Sequence, residues 1–191
     1  MNNNKMLTIP NILTFVRIIA IPILVLVFYL PVAWSNIACA IIFALAAMTD
    51  WLDGYIARNW KLSTPFGEFL DPVADKLIVA VALVLIVGKH NMPYLAIPAA
   101  VIVGREIVIS ALREWMAEIG KRASIAVSFV GKIKTFIQML AVILLLVYDP
   151  GGYVLIGILG YILLYVAAAL TLWSMVMYLK TAWPDLTFRH R

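Results

Sequence analysis

Hydrophobic positions along this chain come in long blocks, and polar positions gather at the block ends. Six mostly apolar stretches lie at about 11–31, 36–58, 69–88, 93–115, 126–148 and 153–179. Each approaches the roughly 20 residues a helix needs to cross a bilayer. Between them stand Pro31, Ser63–Thr64–Pro65, Asn91–Met92–Pro93 and Asp149–Pro150–Gly151–Gly152, residues that break helices and make turns. The pattern predicts an all-α integral membrane protein, with six transmembrane helices packed as one bundle and one domain over residues 1–191. No internal repeat or low-complexity tract divides it. The first stretch follows a single early base, Lys5, and continues to about Leu30 without a small-residue cleavage site. It reads as a retained span, not a cleaved signal.

Composition agrees. The chain is 64% hydrophobic and only 13% charged, too apolar for a soluble core with a polar surface. Its one cysteine, Cys39, excludes an intrachain disulfide. The net charge of +5 does not point to nucleic acid, because the bases lie beside the spans, where they suit anionic headgroups, phosphorylated substrates and topology. With the N-terminus in the cytoplasm, the inner connections carry Lys5, Arg58, Lys61, Lys121, Arg122, Lys180, Arg189 and Arg191, and the outer ones only Lys89 as a strong base. The positive-inside rule then places both termini in the cytoplasm.

The ionisable residues inside the spans change the picture from a membrane protein to one with chemistry. Asp50 and Asp53 close span two, and Asp71 and Asp75 open span three. Carboxylates at such depth are costly unless paired, hydrated or bound to a cation. At i,i+3 and i,i+4 spacing, each pair shares one helix face. Four hard oxygen ligands suit Mg²⁺ or Mn²⁺ better than zinc, and two opposed faces could hold two ions. The bland alternative is a set of buried ion pairs with Arg58, Lys76 and Arg105. Arg17, Lys132 and Lys134 fall at similar inner depth, with Arg105 about midway along span four and Arg113 further inward; most of these groups converge below the inner surface, which describes a polar cavity opening to the cytoplasm. Arg17 has a second reading, snorkelling to headgroups, and Lys132 and Lys134 a second one as topology charges. Glu106 directly follows Arg105 and points elsewhere on an ideal helix, so no pairing between them is expected.

The acids belong to a longer pattern: Asp50-x2-Asp53-Gly54-x2-Ala57-Arg58-x8-Gly67-x3-Asp71-x3-Asp75. It resembles, at every position, the signature of the CDP-alcohol phosphotransferase family. Asn11-x-Leu13-Thr14-x2-Arg17, the stretch REIVISALREWMAEIGKR at 105–122 and GKIKT at 131–135 are similar to the members that use glycerol 3-phosphate as acceptor. The resemblance implies a six-helix bundle in the inner membrane of a bacterium. It also implies transfer of the phosphatidyl group of CDP-diacylglycerol to sn-glycerol 3-phosphate, giving phosphatidylglycerol phosphate and CMP. By the same resemblance, Asp50, Asp53 and Asp71 bind Mg²⁺ or Mn²⁺, and Asp75 is the general base and also touches a metal. Asp50, Asp53, Gly54, Arg58, Gly67 and Asp71 hold the nucleotide. The acceptor's phosphate needs a second pocket, for which Arg105, Lys132, Lys134 and Arg113 are the candidates, with Asn11, Thr14 and Arg17 as further site residues. Partners are the two substrates, membrane lipids and a second copy of the chain across spans three and four.

Two other readings compete. One is a sister enzyme making cardiolipin, phosphatidylserine or phosphatidylinositol phosphate, on whose acceptor the aspartates are silent. The other is a cation transporter, whose site would sit near the midplane between repeats.

Overall fold

In an apolar surrounding the backbone can satisfy its N–H and C=O groups only within the segment, so the six apolar blocks become helices. The computed structural model describes residues 9–60, 65–90, 92–119, 129–149 and 151–187. Six helices run through them: α1 (Ile9–Phe28), α2 (Ser35–Trp60), α3 (Pro65–His90), α4 (Pro93–Glu118), α5 (Phe129–Val147) and α6 (Val154–Thr187).

Their ends follow local chemistry. α1 stops at Phe28, short of 31, because the ring of Pro31 disfavours helical backbone at Leu30. α3 starts at Pro65, ahead of 69, and α4 at Pro93, since a missing N–H costs nothing in a first turn. Met92 before it is extended, at φ −110° and ψ 106°. α6 runs eight residues past 179, to Thr187, and takes in Lys180 and Pro184. At 1.5 Å per residue it is about 51 Å long, against roughly 30 Å of hydrocarbon.

Among the described residues, three helical stretches are apolar and long enough to cross a membrane: Asn11–Phe28, Pro93–Glu118 and Val154–Thr181. α2 and α5 contribute shorter apolar stretches, Ser35–Thr49 and Ile133–Val147. The first ends one residue before Asp50 and the second starts one after Lys132. The same residues that carry charge shorten the apolar run. Leu26, Met48, Val84, Phe136, Leu155 and Trp173 are exposed on the bundle surface, as lipid contact requires. The chain is a multi-pass membrane protein.

α1 packs on α2 and α3, α5 on α2 and α6, and α4 on α3 and α6. Leu24, Phe43, Leu83, Ile86, Leu95, Ile102, Leu145 and Leu164 fill the core. Gly160 lets α5 and α6 close: a Cβ there would lie 2.9 Å from the Cγ and a Cδ of buried Leu145. Gly160→Val is therefore expected to cost about 1–3 kcal/mol by overpacking, read as a lower thermal midpoint in detergent. At the end of the bundle away from Asp71, Lys89 Nζ donates to Asn36 Oδ1 (2.7 Å) and to the Tyr148 carbonyl (3.0 Å), and lies 4.0 Å from Asp149 Oδ1. This joins α2, α3 and the end of α5.

Candidate active site

Asn11, Thr14 and Arg17 recur every three residues on α1 and are buried, Arg17 at 1% exposure. They face α3. Thr14 Oγ1 donates to Asp71 Oδ1, and Arg17 Nη1 donates to Asp75 Oδ1. Arg17 Nη2 lies 3.6 Å from Asp71 Oδ1, so one guanidinium spans two carboxylates a turn apart. Arg17 does not snorkel. It is a partner of Asp71 and Asp75, where the ion-pair reading offered Arg58, Lys76 and Arg105; the side chain of Arg58 falls outside the described residues. Gly67 is buried in the first turn of α3. Asp50, Asp53, Gly54 and Arg58 lie in the last turns of α2, and their side chains fall outside the described residues.

The donor set fits a hard divalent cation. The contacts from Thr14 and Arg17 fall on Oδ1 of Asp71 and of Asp75. Carboxylate oxygens are the ligands Mg²⁺ and Mn²⁺ take. Among the described residues, which leave out the side chains of Asp50 and Asp53, no group of three or more acids, histidines or cysteines gathers.

A second cluster, of opposite sign, forms where α4, α5 and α6 meet. Glu106 Oε1 accepts from Arg105 Nη1 (2.7 Å) and from Lys134 Nζ (3.0 Å). The adjacent Arg105 and Glu106 do pair, contrary to the expectation from helix spacing. Their Cβ atoms diverge, but a long guanidinium folds back to the next side chain. Arg105 and Lys134 are both buried. Arg105 Nη2 reaches Ser174 Oγ at 3.5 Å. The Tyr178 ring lies near two guanidinium carbons, 5.8 Å from that of Arg105 and 5.5 Å from that of Arg113, whose Nη2 donates to the Tyr178 hydroxyl at 3.3 Å. Lys132 lies in α5, its side chain outside the described residues.

Sequence reasoning missed the α6 wall. Its signal was there: Thr171, Ser174 and Tyr178 recur at i, i+3 and i+7 in an otherwise apolar span. Gln138, one turn beyond Lys134, extends the polar face of α5. Gln138 Oε1 and Thr171 Oγ1 are buried and without a hydrogen-bond partner among the described residues.

The model of one protein family, CDP-alcohol phosphatidyltransferase, matches residues 7–173. The chain belongs to this family. Both charged clusters down to Arg17, Asp75, Arg105 and Lys134 lie inside the matched region, as does Asp50. A relative from Yersinia pestis (strain Pestoides F) is 55% identical over 180 residues, covering 94% of this chain and 97% of its own length. One from Shigella flexneri serotype 5b (strain 8401) is 56% identical over 178 residues, covering 93% and 96%. Both are named CDP-diacylglycerol--glycerol-3-phosphate 3-phosphatidyltransferase. Divalent metal use is general in the family, in keeping with the carboxylate donors described here.

Proposed function

We propose that this enzyme transfers the phosphatidyl group of CDP-diacylglycerol to sn-glycerol 3-phosphate, releasing CMP and phosphatidylglycerol phosphate. The observation that carries the reading is the pairing of two sites of opposite charge. Carboxylates on α3, braced by α1, suit a metal-bound diphosphate; buried cations on α4 and α5, walled by α6, suit the phosphate of a soluble acceptor. High identity to relatives of that name over nearly the whole chain supports the same reaction.

Asp75 takes the proton from the acceptor hydroxyl as that oxygen attacks the β-phosphorus. The bond from the β-phosphorus to the oxygen bridging it to CMP breaks, and CMP leaves with that oxygen. Asp50, Asp53, Asp71 and Asp75 would hold one or two Mg²⁺ or Mn²⁺ ions, which supply charge neutralisation for the diphosphate. Arg17 and Thr14 orient Asp75 and Asp71 from α1. Gly54, Arg58 and Gly67 contact the nucleotide. Arg105 and Lys134, with Lys132 and Arg113 beside them, bind the acceptor phosphate through charge-assisted hydrogen bonds.

The positive-inside pattern supports both termini and this site facing the cytoplasm of a bacterial inner membrane. The acyl chains then stay in lipid while the acceptor enters from water. A homodimer across α3 and α4 completes the proposal.

Acceptor competition tests the reaction. Purified protein with CDP-diacylglycerol and Mg²⁺ or Mn²⁺ is offered glycerol 3-phosphate, serine, phosphatidylglycerol and inositol phosphate; a product other than phosphatidylglycerol phosphate overturns it. Arg105→Ala and Lys134→Ala should each raise the acceptor KM about 10- to 100-fold, the worth of a charged hydrogen bond. The KM for the lipid nucleotide should move far less.

A further inference from the structure

Glu106 occupies the point where the two buried cations of the acceptor pocket meet, and one oxygen serves both, at 2.7 and 3.0 Å. An anion at that point occupies the position an incoming phosphate needs. Glu106 also lines the groove between α3 and α4, about 330 Å³ in volume, together with Lys76. Lys76 has no hydrogen bond or ion pair among the described residues.

We propose that Glu106 is a displaceable counter-anion: it holds Arg105 and Lys134 until the acceptor phosphate takes its place, then turns across the α3–α4 groove to Lys76. This rests on the reading of Arg105 and Lys134 as the acceptor-phosphate pocket.

Charge count carries the inference. Arg105 and Lys134 are buried, and buried cations need a compensating anion. Glu106 supplies one negative charge against their two positive ones. A phosphate monoester is close to a dianion at neutral pH, so binding it beside Glu106 sets three negative charges against two positive. Lys76 is the cation that restores balance, and it stands on the same groove. Arg113, at the exposed edge of the pocket, is adjacent in sequence to Glu114, also exposed, and the two opposite charges leave the count unchanged. Glu106 thus makes the pocket selective. A monoanion or a neutral polyol does not carry enough charge to displace it, whereas a phosphate dianion does. It is a positioning residue that acts through the two cations, not one that touches the reacting atoms.

A double-mutant cycle on the full-length protein in mixed micelles tests this. The measurements are the KM for glycerol 3-phosphate and the Ki of inorganic phosphate as competitor. Glu106→Gln keeps an oxygen acceptor for both cations and removes the charge, and should lower the phosphate Ki about tenfold, within the usual range of coupling between sites. Lys76→Met should raise the acceptor KM about fivefold, more than it changes kcat, and this rise should vanish in the Glu106→Gln background. A phosphate Ki that rises or stays the same in Glu106→Gln overturns the proposal, as does a Lys76→Met effect of equal size in both backgrounds. If Glu106→Gln does not fold, an unchanged acceptor KM in Lys76→Met alone overturns it. Should Arg105→Ala and Lys134→Ala both leave the acceptor KM unchanged, the pocket reading itself fails, a distinct result.

Discussion

Asp75→Asn is expected to lower CMP release by about 10²- to 10⁴-fold, the usual contribution of a positioned general base. Asparagine matches the carboxylate in size and keeps an oxygen for Arg17 Nη1 to donate to, so the α1–α3 contact survives while the proton acceptor is lost. Binding of CDP-diacylglycerol, followed by equilibrium binding of the labelled nucleotide, should remain measurable. Turnover within a few-fold of the parent protein would remove Asp75 as the base. Loss of binding together with turnover would assign it to metal or nucleotide alone.

Arg17→Met is the second large effect. The side chain is 1% exposed and its two terminal nitrogens reach carboxylates on successive turns of α3. Methionine fills a similar volume but leaves Asp71 and Asp75 without their cation, with Thr14 still holding Asp71. Misplacement of reacting groups by about 1 Å costs about 10²-fold in rate, so turnover should fall by about that factor. The metal concentration needed for half-maximal activity should shift as well. Arg17→Lys keeps the charge but loses the fork, and should recover part of the loss. If the methionine variant retains parent activity and metal response, Arg17 only fills space.

Much of this was legible in the residues. Apolar runs and proline-rich breaks are long-range patterns, and they set the order of the helices, because lipid leaves the backbone no other solution. Asp71 and Asp75 stood out by their rarity at that depth, and their contact with Thr14 and Arg17 follows the spacing along α1. What was not legible depends on side-chain reach and on distant packing. Rules of helix spacing describe Cβ directions, so they miss a guanidinium that folds back on its neighbour, as Arg105 does on Glu106. Ser174 and Tyr178 are ordinary residues in a long apolar span. They gain meaning only when α6 packs on α4 and brings them to the cations, across a sequence separation no local pattern encodes. Helix ends were misjudged where one residue decides, at Pro31 and Pro65.

The contacts of Lys89 have a mechanical outcome. Lys89 and Asp75 lie 14 positions apart on α3, about 21 Å along its axis. One ammonium group fastens three segments at that far end, to Asn36 and to the Tyr148 carbonyl. These contacts tie α2, α3 and the end of α5 to one another at the rim remote from Asp71 and Asp75. The end of α3 that carries the aspartates is left outside that clamp, so loosening these three helices costs fewest polar contacts there.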